Sequence, residues 1–481
     1  MGRGAIAKDR PAMMAPRDRG TALRMASPTV RRANEPPAAA PDFGPLTSRS
    51  FAIIFCVSIT ITFGNTGMQS ILPAIGRQIG MPDILIPAIF SLSALVWGFS
   101  SPYWARRSDA TGRKPMMILG LLGFMVSMIC CGLVVSAGLR HWAPILVIFL
   151  LFLLSRAIFG VFGSAANPAS QAYVAERTTR QERTEQMAGL AGAVGLGTVT
   201  GPFVAQFFVL PVVSLAGPMF AFALIAAAMA GVVWRFLPEP PRAVRAPPTT
   251  ERGLTPEPSR FEPRRQSSLW RDPRLTPFLI YGFLCASCQT VNGQSLGFLI
   301  IDKLHLPPMQ ALGFAQVAMG AGAISGLLAQ WGLIRMFRMQ PRHLVRWGAG
   351  LAALANLIIA FAPSYWAVVV GYALASLGYG FCRPGFTAGA SLSVDADQQA
   401  RAAGAIAAIN GSSAVVAPVL GVWLYEQLHP APYLLNMTIL LSMLAFTLLN
   451  PVLRTVGSEP TTEDETTAAQ FDRVEEGGGS V

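Results

Sequence analysis

The chain has 481 residues, 52% of them hydrophobic and only 13% charged, about half the charge of an ordinary soluble domain. Most of its 37 Lys and Arg and 25 Asp and Glu crowd into residues 1–50, 235–275 and 454–481, which leaves the remainder too poor in charge to face water. A soluble enzyme is therefore excluded, and so is a nucleic-acid binder despite the net charge of +12, because the cations flank long apolar runs, where they set topology and meet anionic headgroups.

In chain order, residues 1–50 are Pro-rich and basic, with no apolar h-region of the secretory kind, and are expected to form a disordered cytoplasmic tail. Twelve runs long enough to cross a bilayer follow, at 51–73, 85–105, 116–137, 144–166, 187–210, 214–236, 276–301, 310–333, 344–363, 365–388, 403–425 and 431–453. Between the sixth and seventh, residues 237–275 carry nine prolines and many charges, the composition of a linker rather than a packed core. An acidic tail, 454–481, closes the chain.

Lys and Arg in the loops set the orientation. Arg106, Arg107, Arg113, Lys114, Arg177, Arg180, Arg183, Arg335, Arg338, Arg342, Arg346 and Arg401 fall on one side, against Arg77, Arg140 and Lys303 on the other. The rich side is cytoplasmic by the positive-inside rule, which places both termini and the linker there. A shift of 216 residues lays Pro168 on Pro384, Gly195 on Gly411 and Pro202 on Pro418. The fold class expected is all-α and membrane-embedded, with twelve transmembrane helices in two pseudo-symmetric bundles, 51–236 and 276–453, built by duplication. The six cysteines, including the Cys285/Cys288 pair, sit in apolar runs without a second pair or a histidine cluster, so no metal or cofactor is expected.

The loop after the second run reads Ala105-Arg-Arg-Ser-Asp109-Ala-Thr-Gly112-Arg113-Lys114-Pro115. A carboxylate, a turn glycine and two cations make a charge-rich hinge at the membrane surface. The fourth run holds Arg156 near its middle, four residues before Gly160, and an unpaired cation there costs about 3 kcal/mol or more. It must face a polar interior. The fifth run carries Gly197-Thr-Val-Thr-Gly201-Pro202, small residues that suit close helix packing in any bundle.

Together these segments resemble the major facilitator superfamily. Asp109, Gly112, Arg113 and Lys114 match the superfamily's loop motif, although Ala105 and Ala110 depart from it. Arg156 and Gly160 are similar to its second motif, and Gly197 to Pro202 to the "antiporter" motif of its drug–proton antiporter branch, with Ala205 and Gln206 where paired glycines are usual. The resemblance spans residues 51–453. It implies two bundles that rock around a midplane cavity, with a latch in which Asp109 meets the N-terminal end of the eleventh helix and Arg113 meets Glu176.

Isolated polar residues in apolar runs are the candidate cavity lining: Asn65 and Gln69 in the first run, Asn167 and Gln171 after the fourth, Gln289, Asn292 and Gln294 in the seventh, Arg383 in the tenth and Asn410 in the eleventh. Interhelical hydrogen bonding explains each of them equally well. Proton coupling needs a titratable group exposed to each side in turn. No acid or histidine lies at a helix centre, so Asp302, Glu426 and Asp109 are the candidates, with a solvated helix end as the alternative for each.

No GxxxxGK loop marks a primary pump, and no HExxH, GxSxG or paired intramembrane acid marks a membrane enzyme. The expected activity is secondary transport of a small molecule by a monomer in a bacterial inner membrane. Proton-coupled export of amphiphilic, drug-like compounds comes first. Uptake of a small organic anion is the alternative, suggested by Arg156 and Arg383 if both reach the cavity.

Overall fold

The computed structural model describes residues 45–209, 214–239, 272–394 and 398–455, all within the unit Gly44–Val481. The expectations for the two tails and for most of the linker fall outside these residues.

Helices α1 (Ser48–Ile79), α2 (Leu85–Thr111) and α3 (Arg113–Leu139) cross in succession. The fourth crossing is α4 (Ile145–Phe162), one 3-10 turn and α5 (Ala166–Glu176). It runs well past residue 166, where the apolar run ends, because a helix satisfies its own backbone hydrogen bonds whether or not its side chains are apolar. Next come α6 (Arg180–Ala205) and α7 (Gly217–Phe236). The second half begins with α8 (Thr276–Leu304) and α9 (Pro308–Leu327), which passes through a π-helical segment (Leu328–Leu333) into α10 (Ile334–Met336). It ends with α11 (Pro341–Ala360), α12 (Tyr365–Leu392), α13 (Gln399–Gln427), α14 (Ala431–Leu449) and the short α15 (Pro451–Thr455).

Eleven of these crossings are long and apolar enough to span a membrane. Helix α8 is not among them: its 29 residues suffice in length, but Ser287, Gln289, Thr290, Asn292, Gln294 and Ser295 dilute its apolar character. Polar residues on a span require a protein interior rather than lipid.

Local chemistry fixes the ends. Thr47 Oγ1 accepts from Ser50 N–H at 3.1 Å and starts α1. Gly112, at φ +108°, breaks α2 from α3 in a conformation that excludes most other residues. Thr179 and Glu182 form a reciprocal capping box at α6. The Thr179 backbone N–H, then its hydroxyl, hold the Glu182 carboxyl below its ordinary range. The helix begins seven residues before the apolar run at 187–210, so Glu182 and Glu185 lie on it.

The packing repeats between halves. Helix α1 packs on α6 as α8 does on α13, α3 on α7 as α11 on α14, α3 on α4 as α11 on α12, and α2 on α4 as α9 on α12. Across the halves α2 packs on α13 and α6 on α9, which are again equivalent pairs. The result is an all-α membrane fold of two pseudo-symmetric six-helix bundles. On α4, Leu146, Leu150 and Leu154 form an exposed stripe at helical spacing, while Ile148, Phe152, Arg156 and Phe159 are buried. The apolar exterior and the polar residue inside are the reverse of a water-soluble bundle.

Candidate functional site

Arg156 is only 1% exposed and points into the first bundle. Its Nη2 donates to Asn65 Oδ1 at 2.7 Å, and its guanidinium lies 4.6 Å from the Phe159 ring centre and 5.1 Å from that of Phe90. Nε and Nη1 are buried without a partner among the described residues. Stacking on two aromatic faces and one amide oxygen hold the cation with no carboxylate among the described residues. It therefore ties α4 to α1 and α2. Gly160, one turn on, lets α4 approach α2, since a Cβ there would sit 2.8 Å from Ser93 O.

The cavity wall lies in the other bundle. Gln289 and Thr290 on α8, Arg383 and Phe386 on α12, and Asn410 and Ser413 on α13 enclose about 160 Å³. Arg383 is the one charged side chain on this wall, and the rest offer amides, hydroxyls, one aromatic ring and the small side chains of Cys285 and Ala286. Arg156 does not line it, because its side chain is sealed among Phe90, Phe159 and Asn65.

Asn292 also lies away from the cavity. It is buried, donates to Tyr379 Oη at 3.2 Å and accepts from Asn436 Nδ2 at 2.9 Å, while Asn356 Nδ2 donates to the same Tyr379 oxygen at 3.3 Å. Four helices, α8, α11, α12 and α14, meet on this network, which binds Asn292 into the packing between them. Of the remaining polar candidates, Asn167 and Gln171 are exposed and hydrogen-bonded to each other at 3.3 Å, while Gln69 and Gln294 are half-buried.

At the inner end of the first bundle, Arg113 is buried, and its Nη2 and Nε reach Glu176 Oε1 at 2.7 and 3.0 Å. The same guanidinium contacts Ser108 Oγ and, at 2.5 Å, Asp109 Oδ1. Asp109, in the last turn of α2, is 67% exposed and pairs with Arg113 at the start of α3, while residues 395–397, just before α13 where the resemblance puts its partner, lie outside the described ones. Arg113 lies one helical turn away across Gly112 and captures the carboxylate locally. Glu239, which the sequence did not single out, accepts from the Lys114 backbone N–H at 2.9 Å and from that of Arg113, so it caps α3. A Cβ on Gly112 would lie 2.7 Å from its carboxylate.

The α6 glycines lie against α1. At Gly197 an added Cβ would meet Phe63 N and Thr62 Cβ at 3.0 Å, and at Gly201 it would overlap Phe63 O and Thr66 Oγ1. Thr66 Oγ1 donates to Gly197 O at 3.2 Å across the pair, and Pro202 is buried just beyond it.

At the outer end, Asp302 on α8 joins Arg77 on α1. Arg77 also binds Asp83 at 2.7 Å, and Tyr425 Oη donates to Asp302 Oδ2 at 2.6 Å. His429 Nε2 stands 3.8 Å from the same carboxylate. Glu426 Oε1 accepts from Ile84 N–H at 2.8 Å, a second tie between the halves. Sequence reasoning missed Arg77, Tyr425 and His429. The available signal was opposite charge at the outer ends of the first and seventh runs, the equivalent members of the duplicated halves.

The Major Facilitator Superfamily description matches residues 54–340 and 336–474. Among solved structures, the chain is similar to a POT family transporter in complex with 5-aminolevulinic acid (16% identity, TM-score 0.65, covering 84% of this chain and 96% of that one). It is also similar to the human organic anion transporter MFSD10 (20%, 0.57, 83% and 98%) and to a bacterial homologue of the human lysosomal transporter Spinster, inward-facing and occupied (12%, 0.59, 88% and 99%). No curated protein sequence matches the chain. The motif residues, the duplicated packing and the family match agree: this chain is a membrane transporter, not an enzyme, and belongs to the major facilitator superfamily.

Proposed function

We infer that the chain is an alternating-access secondary carrier for a small amphiphilic organic anion. The supporting observation is the cavity itself, where Arg383 is the single charged lining residue, with Gln289, Thr290, Asn410 and Ser413 as neutral hydrogen-bonding groups and Phe386 as an apolar surface. A guanidinium with no ion-pair partner among the described residues, beside a low-dielectric wall, selects carboxylate or phosphate geometry and repels cations. The neighbours whose names mention 5-aminolevulinic acid or organic anions are in keeping with this reading.

Loop charge favours an inner-membrane orientation with both termini cytoplasmic and the segment 237–275 linking bundles 51–236 and 276–453. In that frame the Arg77–Asp302 and Ile84–Glu426 ties close the outer face, and Arg113–Glu176 braces the inner face of the first bundle. Among the proton-coupling candidates Asp302 is best placed: it is half-buried and shared between the halves, so protonation would loosen a gate. Asp109 is solvated, and among the described residues Glu426 holds a backbone amide alone.

Export of a drug-like amphiphile is the second reading, favoured by the close seating of Gly197 and Gly201 on α1. Counterflow in proteoliposomes separates the two. An aromatic carboxylate exchanged across the membrane, with a lipophilic cation excluded, supports the anion carrier. The reverse preference overturns it. Collapsing the pH gradient in the same vesicles tests the coupling.

A further inference from the structure

A second concavity lies on the outside of the second bundle, where α9 and α10 turn into α11. It encloses about 610 Å³. Phe337, Trp347, Leu351 and Phe381 give it apolar walls, and Arg338 and His343 stand at its polar end. The π-helical segment Leu328–Leu333 ends at this groove, and such segments cluster at functional sites. Phe337 and Trp347 leave most of their surface uncovered, at 65% and 61% exposure.

The charge around it is unbalanced. From Lys303 to Val394 the chain has no Asp or Glu, yet Arg335, Arg338, Arg342 and Arg346 fall within two turns of the α11 N-terminus. That N-terminus has no side-chain cap and no acid in its first turn. Cations at the positive end of a helix dipole are unfavourable unless an anion joins them. Gln340, which lines the groove, has its buried Oε1 without a partner among the described residues, as have Arg342 Nε and Arg346 Nε on α11, although Arg346 Nη2 donates to Arg454 O at 3.3 Å. Arg338 is held at φ +45°, a conformation uncommon outside glycine.

We propose that this groove binds one anionic phospholipid, its phosphate between Arg338, His343 and the α11 N-terminus and one acyl chain along Trp347, Leu351 and Phe381. Charge complementarity selects the headgroup, and the apolar wall selects a molecule that carries a chain. The site is separate from the Arg383 cavity, which lies on α8, α12 and α13. Its assignment to the cytoplasmic leaflet rests on the orientation inferred above, whereas binding itself does not, so the two readings fail separately.

The test uses the purified full chain in detergent, with native mass spectrometry and thermal unfolding. Phosphatidylglycerol is expected to remain as one retained molecule and to raise the melting temperature by roughly 3 °C. Phosphatidylcholine with the same chains binds about tenfold more weakly, and glycerol 3-phosphate produces no shift. Arg338→Gln removes the preference for phosphatidylglycerol, Arg338→Lys keeps it, and Arg107→Gln in the other half leaves it unchanged. Equal retention of both lipids, or a preference that survives Arg338→Gln, overturns the proposal. A shift by glycerol 3-phosphate equal to that of the lipid assigns the site to a soluble anion and overturns it as well.

Discussion

Arg77 in the last turn of α1 and Asp302 near the end of α8 bind each other by two hydrogen bonds, with Nη2 donating to Oδ2 at 2.9 Å and Nη1 to Oδ1. The two helices are equivalent members of the two bundles, so this pair joins the halves across the pseudo-symmetry axis. Both side chains are partly solvated, which limits such a pair to about 1 kcal/mol. Asp302→Asn is therefore expected to shift the gate toward outward opening by roughly fivefold. Reaction of a cysteine at Gln69 with an impermeant thiol reagent added from outside measures it. An unchanged rate would mean that the pair does not hold the gate.

The inner brace is a tighter case, because Arg113 is buried against Glu176. Removing one partner of a buried pair costs about 3 kcal/mol, since the other charge is left without compensation. Glu176→Arg is expected to abolish transport and lower thermal stability, and the exchange Arg113→Glu with Glu176→Arg to recover part of both. Failure of the exchange to recover anything would place the loss elsewhere, for example in the Ser108 and Asp109 contacts.

Two glycines of α6 are expected to behave oppositely. Gly201→Val drives side-chain atoms into the α1 backbone at Phe63 and is expected to cost roughly 1–3 kcal/mol by overpacking. Gly195→Ala meets nothing within 4 Å and is expected to be silent. Melting curves of the two variants from fluorescence-detected size exclusion check the contrast.

Substitutions on α8 should divide by burial. Asn292→Leu removes one partner each from Tyr379, which keeps Asn356 Nδ2, and from Asn436, which keeps Cys288 O, and is expected to lower stability by about 1 kcal/mol while leaving substrate affinity near wild type. Arg383→Gln is expected to leave melting unchanged and to raise the half-saturating concentration of an anionic substrate about tenfold. Paired melting and transport curves separate the two classes.

The division between what was legible and what was not has a physical basis. Hydropathy runs give spans because lipid demands apolar length, and the buried position of Arg156 follows from its charge in mid-helix. The loop motif gives Arg113 and Glu176 as neighbours because both sit at helix ends on the same membrane face. Neither hydropathy nor motif reports which side of a helix faces the cavity. Gln289 and Asn292, three residues apart on α8, are equally polar in sequence, yet one lines the cavity and the other is sealed in the bundle. Helices α5 and α6 extend beyond the ends of the apolar runs at residues 166 and 187, since the polar residues there carry no hydropathy signal. Long-range ties such as Arg77 to Asp302 depend on tertiary closure and were visible only as complementary charges.

The central claim is that the two bundles pivot about an anion-selective cavity. It is tested most directly by spin-label distances in a chain whose six cysteines are replaced, with one pair on the outer ends at Gln78 and Gln427 and one on the inner ends at Thr111 and Ser393. The account predicts that an aromatic carboxylate adds a second population in which the outer pair lengthens as the inner pair shortens, and that Arg383→Gln suppresses this response. Distances that stay fixed with and without the carboxylate, or that respond only to a lipophilic cation, would contradict it.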